Sequence, residues 1–364
     1  MKRPLSAFYY IKENRSRGAV LVVLLFLTTL FYLAGNYIDS VGYYWEKTED
    51  YDDRICLVGA LSADEDQRDY KEFIKLLEED DSLIVMPRSG RGFPGLEWKC
   101  TMGFEMGSYS FAFNSPEDMK TAFDRLGIEA DLSDTGDRCV VMSSALARQY
   151  GLEAGSVLDS SVNGSIPGSY RVSALTEDDS YVLFYVHEDT NLTRANIMSD
   201  TLSGDELRRY LEEKRGDLRV FIPECLRDTI AAQLDPFFRI FIFTMFVLSV
   251  IHATTINAVL AGHFIKRRYE FGIYRAMGMS RKDVFKKVTS EILLADLIAV
   301  LCGAVFNLLL TFMLNELVYI PAGEYLPYFS TAGLSGFILS NLTVVIPVIL
   351  IRSSSMCRAD VTDF

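Results

Sequence analysis

Four stretches of the chain are apolar for longer than a soluble helix needs: residues 18–38, 237–264, 288–314 and 331–351. The first, GAVLVVLLFLTTLFYLAGNYI, has no ionisable side chain except tyrosine, and its length suits a hydrocarbon core of roughly 30 Å. No small-x-small cleavage site follows it, so it reads as a retained anchor and not as a secretory leader. Asp235-Pro236 places an N-cap and a first-turn proline before the second stretch and predicts that its helix starts there. That stretch would run about 42 Å, more than a bilayer needs, so part of it should project into water or tilt.

Between the first and second stretches the pattern changes to short β-rich runs interleaved with amphipathic helices. Strands are predicted at 54–60, 82–86, 109–113, 139–143, 170–175, 181–186 and 218–222, and helices at 66–79, 115–126, 143–150 and 203–215. Ser115-Pro116 opens one helix, while Gly127 and Gly151 stand where helix ends favour a left-handed residue. The fold class predicted is a membrane protein of four transmembrane α-helices with a large α+β extracytoplasmic domain, residues 39–236, inserted between helices 1 and 2.

Charge sets the expected orientation. Residues 1–17 carry five Lys or Arg, residues 265–287 carry eight, the tail 352–364 carries Arg352 and Arg358, and the loop 315–330 carries none. Positive loops mark the cytoplasmic side, so both termini and 265–287 are expected inside, in a plasma or inner membrane, with 39–236 and 315–330 outside. Residues 39–236 hold 40 acidic and 20 basic side chains, a net of −20 within a chain total of −13. An acidic domain of this kind has no electrostatic footprint for nucleic acid. Leu5, Phe8, Tyr9 and Lys12 fit an amphipathic helix on the inner leaflet, with a disordered basic tail as the alternative.

Chemistry-bearing patterns are few. With three histidines, no HExxH and no GxSxG, the sequence offers no catalytic motif; with no CxxC and only His187 in the outer region, it offers no zinc set. Gly155–Ser169 is Ser/Gly rich and reads as a turn-forming loop. Cys56, Cys100, Cys139 and Cys225 fall in a compartment where disulfides persist, and either bridges or buried thiols fit them. Within the apolar stretches Glu291 and Asp296 lie about 140° apart around a helix. Glu291, close to the cytoplasmic end, either reaches the interface or pairs with Lys287 one turn back, whereas Asp296 has either a structural contact or a role in substrate or proton movement. His252 and Asn257 favour hydrogen bonds between helices.

The basic loop has internal order. Gly278 suits a helix C-cap, and Ser280 with Asp283 forms a capping box, so a short helix ending near Met277 should turn into the third span and present Arg275, Arg281 and Lys282 to a partner.

These residues carry a family resemblance. RRYEFGIYRAMGMSRKDVFKKVTSEILLADLIAVLCG, 267–303, resembles the signature of FtsX-like permeases of the MacB type of ABC transporter, in which Glu-Ile-Gly, Arg-Ala-x-Gly and Ser-Arg-x-Asp-hydrophobic lead into the third membrane helix and a later glutamate. Glu270, Gly272, Arg275, Ala276, Gly278, Ser280, Arg281, Asp283 and Glu291 occupy those positions, and Phe271 replaces the usual isoleucine. CVVMSSALARQYGLEAGSVLDSSV followed by YRVSAL resembles the family's outer domain. The resemblance implies a dimer with a second permease chain, a cytoplasmic ABC ATPase bound at the loop after the second helix, and outer domains moved by ATP hydrolysis. The chain has no GxxxxGK[ST], so no cofactor is expected in it and ATP with Mg would belong to the partner subunit. On this basis Glu270, Gly272, Arg275, Gly278, Ser280, Arg281 and Asp283 are the expected coupling residues. The implied function is export or extrusion of an amphipathic compound or peptide; the alternatives are mechanical control of a cell-wall hydrolase and ligand sensing without transport.

Overall fold

In the computed structural model the described residues are 15–61, 67–89, 95–101, 103, 105–133, 135–164, 166, 168–177, 180–188, 191–224 and 226–358. The N-terminal segment around Leu5 and Phe8, together with Cys225, lies outside them. The chain divides into two compact units. The first comprises residues up to Asp39, Pro236–Leu314 and Leu326 onward; the second comprises Ser40–Asp235 and Asn315–Tyr325.

The first unit is helical. Helix α1 (Arg15–Phe26) passes through a short 3-10 turn at Leu27–Thr29 into α2 (Leu30–Asp52). Among the described residues, four stretches are long and apolar enough to cross a membrane: Ala19–Asp52, Asp235–Gly262, Arg281–Ala322 and Thr331–Cys357. Small residues bring the helices together, as expected where lipid supplies no hydrophobic drive between them. A Cβ on Gly35 would collide with the backbone of Gly333, and one on Gly303 with the Thr29 side chain. The Asp39 carboxylate accepts a hydrogen bond from the Ala332 amide at 2.9 Å, satisfying one of the orphan N–H groups at the start of the last helix.

The second unit is a two-sheet α/β body. Strand β1 (Cys56–Ala60), helix α3 (Gln67–Glu78) and β2 (Leu83–Ser89) are followed by a hairpin of β3 (Glu97–Lys99) and β4 (Glu105–Gly107). Next come β5 (Tyr109–Phe113), α4 (Pro116–Leu126), β6 (Cys139–Ser143), α5 (Ser144–Tyr150), β7 (Val157–Leu158), β8 (Tyr170–Thr176) and β9 (Val182–Val186). Strand β10 (Leu192–Ser199), helix α6 (Gly204–Arg215) and β11 (Val220–Phe221) complete it. One sheet has the order β11-β1-β10-β2 and is antiparallel; the other, β5-β9-β6-β8-β7, is mixed.

Strands β6 and β9 are buried at every position because both faces of their sheet are covered. Val140, Met142, Leu183 and Tyr185 pack with α5 and Trp98, while Cys139, Val141, Val182 and Phe184 pack with α4. Ser115 accepts from the Asp118 amide at the start of α4, and Gly127 and Gly151 close α4 and α5 at φ +70 and +63, as their spacing predicts.

Three boundaries differ from the sequence reading. Helix α7 spans Leu226–Ala276, 51 residues with Pro236 inside it, so Asp235-Pro236 is not its start. An internal proline removes one N–H and crowds the carbonyl four residues earlier, but Leu, Ala and Gln in the turns before it favour helix and the helix continues through it. At about 77 Å this helix is far longer than the predicted stretch. Helix α8 (Arg281–Leu314) follows after four residues, and α9 (Thr331–Arg358) continues seven residues past the predicted end of its span. Arg352 is therefore part of a helix, where it donates to Asn257 Oδ1 at 2.6 Å. The segment after α8 also differs from a free loop. Residues 315–325 pack within the second unit: Arg148 donates to the Ile320 carbonyl at 3.1 Å, the Tyr181 hydroxyl donates to the Gly323 carbonyl, and Tyr325 lies against Tyr43.

Candidate functional site

The turn between α7 and α8 follows from its residues. Gly278 has φ +95, a conformation that side chains disfavour. The Gly278 amide reaches the Arg275 carbonyl at 2.9 Å and the Met279 amide reaches the Tyr274 carbonyl at 3.0 Å, the paired bonds of a Schellman end. Met279 and Tyr274 both pack on the same apolar cluster. Two residues later Ser280 caps α8: its hydroxyl accepts from the Asp283 amide at 3.2 Å and donates to the Asp283 carboxylate at 2.6 Å. The capping signals sit where the sequence places them, but the helix before the turn is the continuation of α7 and not a separate short helix.

Beyond Gly262, where the apolar stretch ends, α7 has two unlike faces. Phe264, Arg267, Phe271 and Tyr274 face inward on Val284, Val288 and Met356. Gly272 is also buried. Ile265, Tyr269, Ile273 and Met277 recur every four residues on the outward side, and Met277 is 71% exposed. Arg281, Lys282, Asp283 and Lys286 are exposed on the first two turns of α8, while Arg275 is half-buried.

The inward face holds a charge cluster. Arg267, 3% exposed, donates from Nη1 to Glu291 Oε2 at 2.6 Å and from Nε to Glu270 Oε2 at 3.0 Å. Lys287 Nζ lies 3.3 Å from Glu291 Oε1, and the Tyr274 hydroxyl donates to Glu270 Oε1 at 3.0 Å. The guanidinium stacks 4.8 Å from the Phe271 ring. Two cations and two carboxylates balance, as buried charges require. Burial alone pushes the Glu270 carboxyl up, but the hydrogen bonds and charge of Arg267, with Tyr274 and Lys287, together hold it below its ordinary value. Glu291 thus meets Lys287 as its spacing predicts. Arg267, the centre of the cluster, is not marked by the sequence, because its partner is 24 residues away.

The other singled-out residues are dispersed. Asp296 accepts from Asn341 Nδ2 at 2.9 Å, linking α8 to α9. His252 Nε2 donates to the Leu24 carbonyl at 2.9 Å, linking α7 to α1. Cys56, Cys100 and Cys139 are buried in three different apolar clusters, and no disulfide joins them among the described residues.

Residues 240–356, which include the whole turn and the charge cluster, match the family model described as FtsX-like permease C-terminal. No curated protein matches the chain.

Proposed function

We propose that this chain, whose residues 240–356 match the FtsX-like permease C-terminal family model, is the permease subunit of an ABC-type assembly with a separate ATPase docked at the α7–α8 turn. Permeases of this family generally work with an ABC ATPase in a membrane. The observation that carries the proposal is the outward row Ile265, Tyr269, Ile273 and Met277, which stands beyond the apolar stretch and is followed across the turn by exposed Arg281, Lys282 and Lys286. An apolar row flanked by charge fits a helix laid in a partner's groove, where apolar anchors supply affinity and rim charges steer encounter. The Arg267 cluster fastens α7 to α8 behind that row, so a push on the turn moves both helices.

In this reading the turn and both termini are cytoplasmic, and residues 40–235 and 315–325 lie on the far side, as the distribution of Lys and Arg supports. ATP with Mg binds in the partner. A second permease chain completes a MacB-type dimer that exports an amphipathic compound or peptide.

The test is purification from native membranes in nanodiscs, with identification of co-purifying chains and an ATPase assay. Wild type should retain a nucleotide-binding subunit; Ile273→Asp/Met277→Asp should lose it, and Arg275→Glu/Arg281→Glu should uncouple hydrolysis. Unchanged binding and stimulation in both variants would remove the turn from this role. A bound hydrolase or kinase with no ATPase would instead favour mechanical control or sensing.

A further inference from the structure

Helix α9 keeps its form where its sequence gives little support. Arg352-Ser353-Ser354-Ser355 follows its last apolar run, and serine hydroxyls compete with the backbone and favour caps and turns over helix interiors. The helix nevertheless runs on to Arg358. Its inward stripe of Val345, Val348 and Ile349 is continued by Met356 and Cys357, while Ile351 and Ser355 are exposed. Tertiary contacts hold these last two turns in place.

Those contacts go to both helices of the α7–α8 turn. Arg352 donates from Nε to Asn257 Oδ1 at 2.6 Å and from Nη2 to the Asn257 carbonyl at 2.5 Å, which fixes α9 to α7. Towards α8, the buried Ser353 hydroxyl hydrogen-bonds with the Thr289 hydroxyl at 3.1 Å, and the Cys357 thiol donates to the Arg281 carbonyl at 3.2 Å, directly after the Ser280 cap. Met356, 3% exposed, is buried in the apolar cluster that also holds Phe271, Val284 and Val288. The Arg267–Glu291 bond sets the spacing of α7 and α8 at one level. Helix α9 adds a contact to α7 and two to α8, at Arg281 and Thr289, about 12 Å apart along that helix. Together these set the angle between α7 and α8 as well as their spacing. Ser353 and Met356 are buried, so they act on a partner only through the turn.

We infer that the last two turns of α9 brace the α7–α8 turn, with Arg352, Ser353, Met356 and Cys357 as positioning residues that hold the outward row of α7 at the angle from which a docked ATPase is coupled. The coupling rests on the docking reading above; the bracing of the turn does not.

The experiment uses the full chain in nanodiscs with the ATPase subunit it retains from native membranes. Met356→Ala opens space beneath the turn and leaves the outward row intact, and Met356→Leu refills that space at similar volume. Met356→Ala should retain as much ATPase subunit as wild type but hydrolyse Mg-ATP roughly fivefold more slowly per retained subunit. Met356→Leu should restore the rate. Hydrogen exchange over residues 273–284 should rise in Met356→Ala and stay unchanged around Gly303, where α8 meets Thr29. A wild-type rate, or wild-type exchange across the turn, in Met356→Ala would overturn the inference. Should that variant fail to fold, Ser353→Ala/Cys357→Ala removes both bonds to α8 and keeps Met356 in the cluster, and the same two readouts decide. If wild type itself retains no ATPase subunit, the docking reading has failed and exchange across the turn decides the brace alone: equal protection in wild type and variant overturns it.

Discussion

Arg267 Nη1 lies 2.6 Å from Glu291 Oε2, tying the end of α7 to α8 across a turn that neither residue belongs to. Both side chains are almost fully buried, so removing one strands the other. Arg267→Met should destabilise the helical unit by about 3–5 kcal/mol, because Glu291 keeps only Lys287. Arg267→Lys should restore little, since an ammonium cannot span two carboxylates as the guanidinium does. The double variant Arg267→Met/Glu291→Gln should cost less than the sum of its parts. Thermal unfolding in detergent measures all of these, and strict additivity would mean that the pair is not coupled.

Glu270 gives the cluster a pH dependence whose sign is fixed. Its folded pKa lies below the ordinary carboxylate value, so the stability it contributes is present above the unfolded pKa of about 4.3 and is lost as pH falls through the lowered folded value. Glu270→Gln should therefore flatten the acid limb of the unfolding temperature against pH and leave the neutral region with the same slope. Melting curves between pH 3 and pH 7 would show it; an unchanged acid limb assigns that loss of stability to other groups.

The turn itself can be loosened without touching the cluster. Ser280→Ala removes the cap of α8 and should cost about 1 kcal/mol, while Ser280→Asp, another good cap, should recover much of it. Hydrogen exchange should rise at the Asp283 amide, which loses the Ser280 hydroxyl and keeps the Ser280 carbonyl at 3.1 Å as its acceptor, and stay unchanged in the second unit. Equal protection at Asp283 in wild type and Ser280→Ala would show that the cap contributes nothing.

What the sequence discloses follows the range of the forces involved. Apolar length, alternation and caps are local, so the four long helices, strands β5, β6, β8 and β9, and the ends at Ser115, Gly127, Gly151 and Ser280 are readable from runs of a few residues. Strand β10 is central in its sheet yet is missed, because Arg194 and Asn196 leave Leu192–Ser199 without the apolar, β-branched run that marks the other strands. Asn196 is tolerated there because its amide donates to the Ala112 carbonyl at 2.7 Å, a contact 84 residues distant. The same applies to the turn. Its shape is local and legible, whereas the Arg267–Glu291 bond and the Arg352–Asn257 bond between α9 and α7 depend on which helices become neighbours. Pro236 misleads for the opposite reason: a strong local signal is overridden, with Ala231, Ala232, Gln233 and Leu234 continuing the helix on its N-terminal side.

The docking of residues 315–325 on the second unit hinges on Gly323. Its φ of +73 suits glycine, and a Cβ there would run into the Ala145 carbonyl as well as the Gln149 side chain. The Gly323 carbonyl accepts from the Tyr181 hydroxyl, and Tyr181 is itself stacked 4.1 Å from Trp98. Gly323→Ala should thus cost more than the roughly 1 kcal/mol of an ordinary glycine replacement, because backbone strain and collision add. Tyr181→Phe removes one hydrogen bond and keeps the ring stack, so its cost should stay near about 1 kcal/mol. Hydrogen exchange over 315–325 separates the two: Gly323→Ala should expose the segment's amides broadly, and Tyr181→Phe should raise exchange only modestly. If the two variants exchange alike, the segment is held by the hydrogen bond and not by the backbone fit at Gly323.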